Sequence, residues 1–414
     1  MQNELKLNFD KIISLNNFSD SQKKIKQENF NNYFEKGLPN KRNEDWKFSD
    51  INQIISKNFD NLNFIVDQKK VFEEKDFPLD FEHNKISFVD GKLYDFDFKH
   101  EDKDKILVDE NLDLDDTIYQ NTLLNLNSAF LTSVSKITIQ KGYNVKKPLI
   151  LFNYLSDGLK SSAINSRVDI NLEDDSSLCV VNFLNENSEK NFINFRQKIK
   201  IGENSILKNY SLDSNTSENI KYFNKDINLS KNSHLEYFIL SEGSKFIKQD
   251  INCNLDDEYG SIALNGIINL ENEKHHEIKT VINHKKENCK SYQLIKSVLN
   301  DKSKGIYQGK IFVSPEAQKT DGYQLSRALL LNESVEFNAK PELEIYADDV
   351  KCSHGSTSGN IDENSIFYLM SRGLSYSESK KLLTNGFLNE VIEKISNEDV
   401  KKLVKKLSGI NVWT

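Results

Sequence analysis

The sequence predicts a mainly β protein, a β-solenoid flanked by a helical region at each end. Three observations predict it. From about residue 135 to 345, short runs of β-branched and aromatic residues are separated by polar turns, with little helical periodicity. Within that stretch a strand end of the form apolar-x-apolar recurs before a polar turn: Ile170 and Leu172 before EDDSSL, Ile199 and Ile201 before GENSIL, Ile227 and Leu229 before SKNSHL, Cys253 and Leu255 before DDEYGSI. Outside it, at both ends of the chain, apolar residues fall at helical spacing.

The second apolar position of each unit lies at 172, 201, 229 and 255, and Ile282, before NHKKENC, continues the series. A period of this size means one supersecondary unit per repeat. One coil cannot bury its own inward Ile and Leu residues, whereas stacked coils share a continuous apolar interior and leave their Ser, Asn, Asp and Gly turns in water. At roughly 28 residues per coil the region holds about seven or eight coils, a rod on the order of 35 Å long. A sandwich also has turns at short intervals; the agreement of successive spacings favours the solenoid.

Residues 1–60 form the helical N-terminal region. Phe9, Ile12, Ile13 and Phe18, then Phe30, Tyr33 and Phe34, are its apolar clusters, with Gly37 and Pro39 as stop signals. In NEDWKFSDI (43–51), Trp46 and Phe48 are bulky anchors among charges, and a packed turn with Trp46 in a local core accounts for them. Residues 61–134 form a mixed connecting region with short strands and one helix near Thr122 to Leu131. The β-helix core runs over 135–361. In the helical C-terminal region, 362–414, Asp362 caps a helix holding Ile366, Phe367, Leu369 and Met370 and stopping at Gly373. Leu383, Phe387, Val391 and Ile395, spaced by four, form an apolar stripe on the next helix, and Val400, Leu403, Val404 and Leu407 mark a third. These stripes are too few for a separate core. They pack on one another and on the solenoid end, with some apolar face left for a partner.

Composition narrows the function. A formal charge of −8 over 414 residues argues against nucleic-acid binding as the main role. Cys179, Cys253, Cys289 and Cys352 are far apart, too few for a disulfide framework and wrongly spaced for a self-contained metal site, which indicates a reducing, cytoplasmic setting. The first residues lack the apolar core of a secretory signal, and no apolar run is long enough to span a membrane. Neither GxxxxGK[ST] nor a GxGxxG after a strand occurs, so the chain itself supplies no recognisable nucleotide site.

The chemistry-bearing stretch is YADDVKCSHGSTSG (346–359), where the β-rich region gives way to the helical tail. On a strand, Cys352 and His354 share a face, where a thiol and an imidazole can bind a soft metal or share a proton. A buried Cys beside a surface His at a strand end would look the same. Glu342 and Glu344 also share a strand face, as the carboxylate pair of a β-helix polysaccharide lyase or hydrolase would, whereas Asp348 and Asp349 face oppositely. A structural adaptor without chemistry is the third reading.

KTDGYQLSRALLL (319–331), KPELEIYADDVKCSHGSTSG (340–359) and FYLMSRG (367–373) together resemble the C-terminal signature of the SufB/SufD family of iron–sulfur cluster assembly proteins, and NEDWKFSDI resembles its N-terminal EDW segment. The resemblance implies a right-handed parallel β-helix between helical flanks. SufB-type chains read Cys-x-His-Glu where this chain has Gly355, so the resemblance is to the SufD type. It implies a non-enzymatic cytoplasmic scaffold that pairs with a SufB-like β-helix protein and binds a SufC-like ATPase through its C-terminal helices; it also admits a homodimer in isolation. With no Glu at 355, it implies an iron–sulfur cluster held transiently at a site shared with the partner and none held by this chain alone. His354 is then the expected shared metal ligand or proton carrier, Cys352 a weaker candidate, and the Leu383, Phe387, Val391, Ile395 stripe the expected ATPase contact.

Overall fold

The computed structural model describes residues 2–64, 79–102, 104–185 and 190–410. Helices α1 (Gln2–Leu15), α2 (Asp20–Lys36) and α3 (Ile51–Asn58) open the chain, followed by β1 (Asn84–Val89), β2 (Lys92–Asp97), β3 (Ile106–Asn111) and α4 (Thr122–Phe130). Eight two-stranded coils come next: β4 (Val134–Ile139) with β5 (Leu149–Tyr154), β6 (Ala163–Leu172) with β7 (Ser177–Asn185), β8 (Phe192–Ile201) with β9 (Ile206–Asp213), and β10 (Ser217–Leu229) with β11 (His234–Ser241). The remaining four are β12 (Ser244–Leu255) with β13 (Ser261–Leu270), β14 (His275–His284) with β15 (Lys290–Leu299), β16 (Lys304–Val313) with β17 (Asp321–Leu330), and β18 (Glu336–Ile345) with β19 (Lys351–Asn360). Helices α5 (Glu363–Ser371), α6 (Tyr376–Ile392) and α7 (Glu398–Leu407) end the described chain.

The first strand of every coil stacks in one parallel sheet and the second in another, giving a β-solenoid of about eight turns. Leu172, Ile201, Leu229 and Leu255 lie one above the next, as the repeat predicts, and Ile139 extends the column below. Ile282 does not follow Leu255. It pairs with Cys253, in the neighbouring column of Ile170, Ile199 and Ile227, while His284 takes the place above Leu255. Positions 282 and 284 are both inward and fully buried, so apolar counting settled on the isoleucine. The imidazole fits because its Nε2 hydrogen-bonds the Ser291 hydroxyl at 2.8 Å.

The flanking helices cover the outer faces of the two sheets. On the sheet that begins with β4, outward Ala163, Phe192, Ile220, Tyr222 and Phe246 join the core of α1 to α4. There the Lys26 amine of α2, buried and pushed down to about 7 by desolvation, donates to the Ala129 carbonyl at 3.1 Å and caps α4. Trp46 is buried over Tyr222 and the Lys248 amine, so the NEDW segment is indeed a packed turn. On the other sheet, outward Tyr210, Phe238, Leu240 and Ile267 pack against α6 and α7.

The two ends of the solenoid differ. Antiparallel β2, through β1, and β3 close the sheets at the N-terminal end. At the other end, among the described residues, β18 and β19 pair on one side only.

Candidate functional site at the open end of the solenoid

The turn from β18 to β19 is pinned on the preceding coil. Tyr346 N–H donates to the Val313 carbonyl (3.0 Å), Lys319 N–H to that of Asp349 (2.6 Å), and Lys351 N–H to that of Thr320 (2.8 Å). This fixes the register of β19, placing Cys352 beside Gly322 and His354 beside Gln324. Both belong to the column set that faces the lumen, so the thiol and the imidazole share a face, at the rim of the last coil.

Their environments differ. Cys352 is half-buried against the cluster of Ile311, Val313, Ala317 and Ala347. It lies beside Gly322, where a Cβ would meet Cys352 Sγ at 3.4 Å, an ordinary van der Waals contact. Burial raises the thiol above its ordinary pKa, so Cys352 rests protonated. His354 is exposed at the rim. Below it, fully buried Gln324 donates from Nε2 to the Gly309 carbonyl (3.2 Å) and leaves Oε1 unpaired. The other thiols belong to earlier coils. Burial pushes Cys179 up to about 12 and Cys289 up to about 11, and it raises Cys253 as well.

Among the described residues, no three His, Cys, Asp or Glu side chains gather as a metal-holding group. Cys352 and His354 are two donors, and an intermolecular site needs others. The Glu342–Glu344 pair does not fit a glycosidic acid–base couple. Glu344 pairs with Lys310 and Glu342 with Lys340 (3.3 Å), and hydrogen bonding from Lys310 holds Glu344 below the usual carboxylate range. A general acid needs the opposite shift.

The expected stripe is divided and does not lie on one helix. Val391 near the end of α6 and Ile395, in the turn beyond it, are fully buried in the core that the sheet shares, Phe387 is partly buried beside them, and Leu383 is half-buried facing Leu369 of α5. The accessible apolar surface is instead Phe367 (74% exposed), Tyr368, Met370, Tyr376 and Leu382, on α5 and the start of α6. Helical spacing identified an apolar face without distinguishing the part the chain itself covers. The two unpaired strand edges had no signal in the sequence, because an edge strand and a central strand of a solenoid read alike.

Residues 154–387, more than half the chain, match the family described as "SUF system FeS cluster assembly, SufBD core domain". The chain belongs to the SufBD family. It is SufD-like. The iron–sulfur cluster assembly protein SufD of Escherichia coli is 27% identical, over 89% of this chain and 88% of that one. SufD of Bacillus subtilis is 26% identical over 72% of this chain and 67% of its own length. A SufBD-family iron–sulfur cluster assembly protein of Synechocystis is 23% identical over 86% of this chain and 84% of its own. The SufBD core match spans β5 to α6, so it takes in both the open solenoid end and the exposed α5 surface. No helix among the described residues is long and apolar enough to cross a membrane.

Proposed function

We propose that this SufBD-family chain is the scaffold subunit of a SufBCD-type iron–sulfur cluster assembly complex. It pairs with a SufB-like β-helix protein through the open solenoid end and binds a SufC-like ATPase through α5 and the start of α6; the partner ATPase hydrolyses ATP. The observation that carries this reading is the uncapped last coil. Two ten-residue strands, β18 and β19, offer backbone donors and acceptors along their free edges, beside the apolar rim formed by Leu343, Val350 and Cys352. Exposed edges of this length invite strand addition, and a second β-helix with matching edges would continue both sheets. His354 stands on that rim, so a cluster or metal assembled at the junction would take His354 from this chain and its remaining ligands from the partner.

The test is a proline on β19. Lys351 N–H bonds to Thr320, at the entry to β17, so by strand alternation the N–H of Ser358 points off the sheet, and Ser358→Pro spares the internal ladder. We expect unchanged circular dichroism and melting temperature, with loss of the SufB-like chain on affinity purification of the co-expressed complex. Full retention of that partner would place the junction elsewhere.

A further inference from the structure

The lumen of the solenoid is not apolar throughout. Behind the β1–β2 hairpin lies a cavity of about 50 Å³. Gly91 of that hairpin (φ 81°) forms part of its wall, in contact with Ser166, where a Cβ would come within 2.6 Å. Phe195, Phe223 and Leu212 supply apolar wall, and Lys225, Gln249 and Ser211 the polar part. Lys225 is 2% exposed and makes no ion pair among the described residues; it donates to the Ser211 hydroxyl (3.2 Å) and to the Tyr237 hydroxyl. The carboxylate lining the cavity, Asp213, is engaged by Lys221 and by the Ser244 N–H (3.2 Å).

Two fully buried amides lie on the neighbouring coils. Gln249 lines the cavity with Oε1 unpaired, and Gln197, directly beside Lys225 on the preceding coil, has neither amide atom paired. Leaving a buried amide unpaired is costly, and dry cavities in proteins are apolar ones. The remaining N–H of Lys225 and the Gln249 amide face a space whose carboxylate, Asp213, is already engaged, with Gln197 stacked beside Lys225. That arrangement is complementary to an anion. We propose that this cavity binds a small monovalent oxyanion of about three or four heavy atoms, the size class of formate and nitrate.

The experiment uses the full chain, with sodium nitrate titrated at constant ionic strength and followed by calorimetry and thermal denaturation. The wild-type protein should show saturable binding and a saturating rise in melting temperature. Lys225→Met should weaken binding about tenfold or more, and Gln249→Leu should weaken it several-fold with the fold retained. Absence of saturable binding would overturn the proposal, leaving a cavity that holds water only. Equal affinity in the wild type and Lys225→Met would place the site elsewhere. If Lys225→Met does not fold, unchanged affinity in Gln249→Leu overturns it equally.

Discussion

His354 and Cys352 lie two residues apart on one strand, yet the solenoid treats them differently. The imidazole stands in solvent, while the thiol leans on the last apolar layer and is held protonated by burial. A ligand or proton carrier must be reachable, which favours the histidine. His354→Ala should leave the complex assembled and reduce cluster formation on anaerobic reconstitution, with Cys352→Ser the milder change; a normal cluster yield in the His354 variant would refute the role. Lost assembly would make His354 an interface residue only. Deeper in the lumen, Leu229 is fully buried between Ile201 and Leu255. Leu229→Asp places an unpaired carboxylate in that column and should lower unfolding stability by several kcal/mol in urea denaturation, on the order of 3–5.

Helix α6 is buried along one part of its surface and exposed along another. Its C-terminal half closes over the outer sheet through Leu388, Val391 and Ile392. The buried Lys296 amine of β15 anchors it, donating to the Phe387 carbonyl at 2.7 Å and pairing with Glu390 at 2.5 Å. Truncating this element would uncover a large apolar face, so deletion cannot separate docking from folding. Point substitutions can. Val391→Ala should cost about 2 kcal/mol and sensitise the C-terminal helices to limited proteolysis. Phe367→Asp, at a side chain in solvent, should leave the melting temperature unchanged and lower retention of the ATPase on co-purification. Retention at wild-type levels would remove α5 from the contact.

Across the whole molecule, coil stacking buries ionisable groups that a smaller fold would leave in water. His276 and His284 are fully enclosed, and desolvation holds them down to about 3 and about 4, from an ordinary 6.5. His276 is locked neutral, its Nε2–H donating to the Ser244 carbonyl (2.6 Å) and its Nδ1 accepting from Ser241 (2.8 Å). The sign follows from linkage. Below pH 6.5 the unfolded chain takes up protons that the folded chain refuses, so stability is full above that value and declines as pH falls toward 4. Each histidine contributes up to about 1.4 kcal/mol per pH unit in that window. Urea midpoints measured from about pH 7.5 to about 4.5 should show the decline, and His284→Leu, which suits its column of Leu and Ile, should flatten it.

The recurring Ile and Leu pairs determined that a β-solenoid forms, because a two-residue alternation repeated at a constant period has few other ways to bury its apolar face. The same local patterns marked Trp46 as a core anchor, the helix over Thr122–Phe130 and the capped C-terminal helices. CSHG and the flanking motifs were sufficient to place the chain in its family. Tertiary structure decided the rest. Ile282 and His284 share a face, so only the ladder to β12 shows which of them follows Leu255. Val391 and Phe367 are both apolar helix residues, and only the sheet beneath α6 buries one and leaves the other in water. Lys225 reads as an ordinary strand lysine, and Gln249 as an ordinary polar residue; stacking the coils turns both onto one cavity. Periodicity in a sequence reports which residues share a face. Which faces become interior, which are covered, and which remain open depends on distant parts of the chain meeting in space.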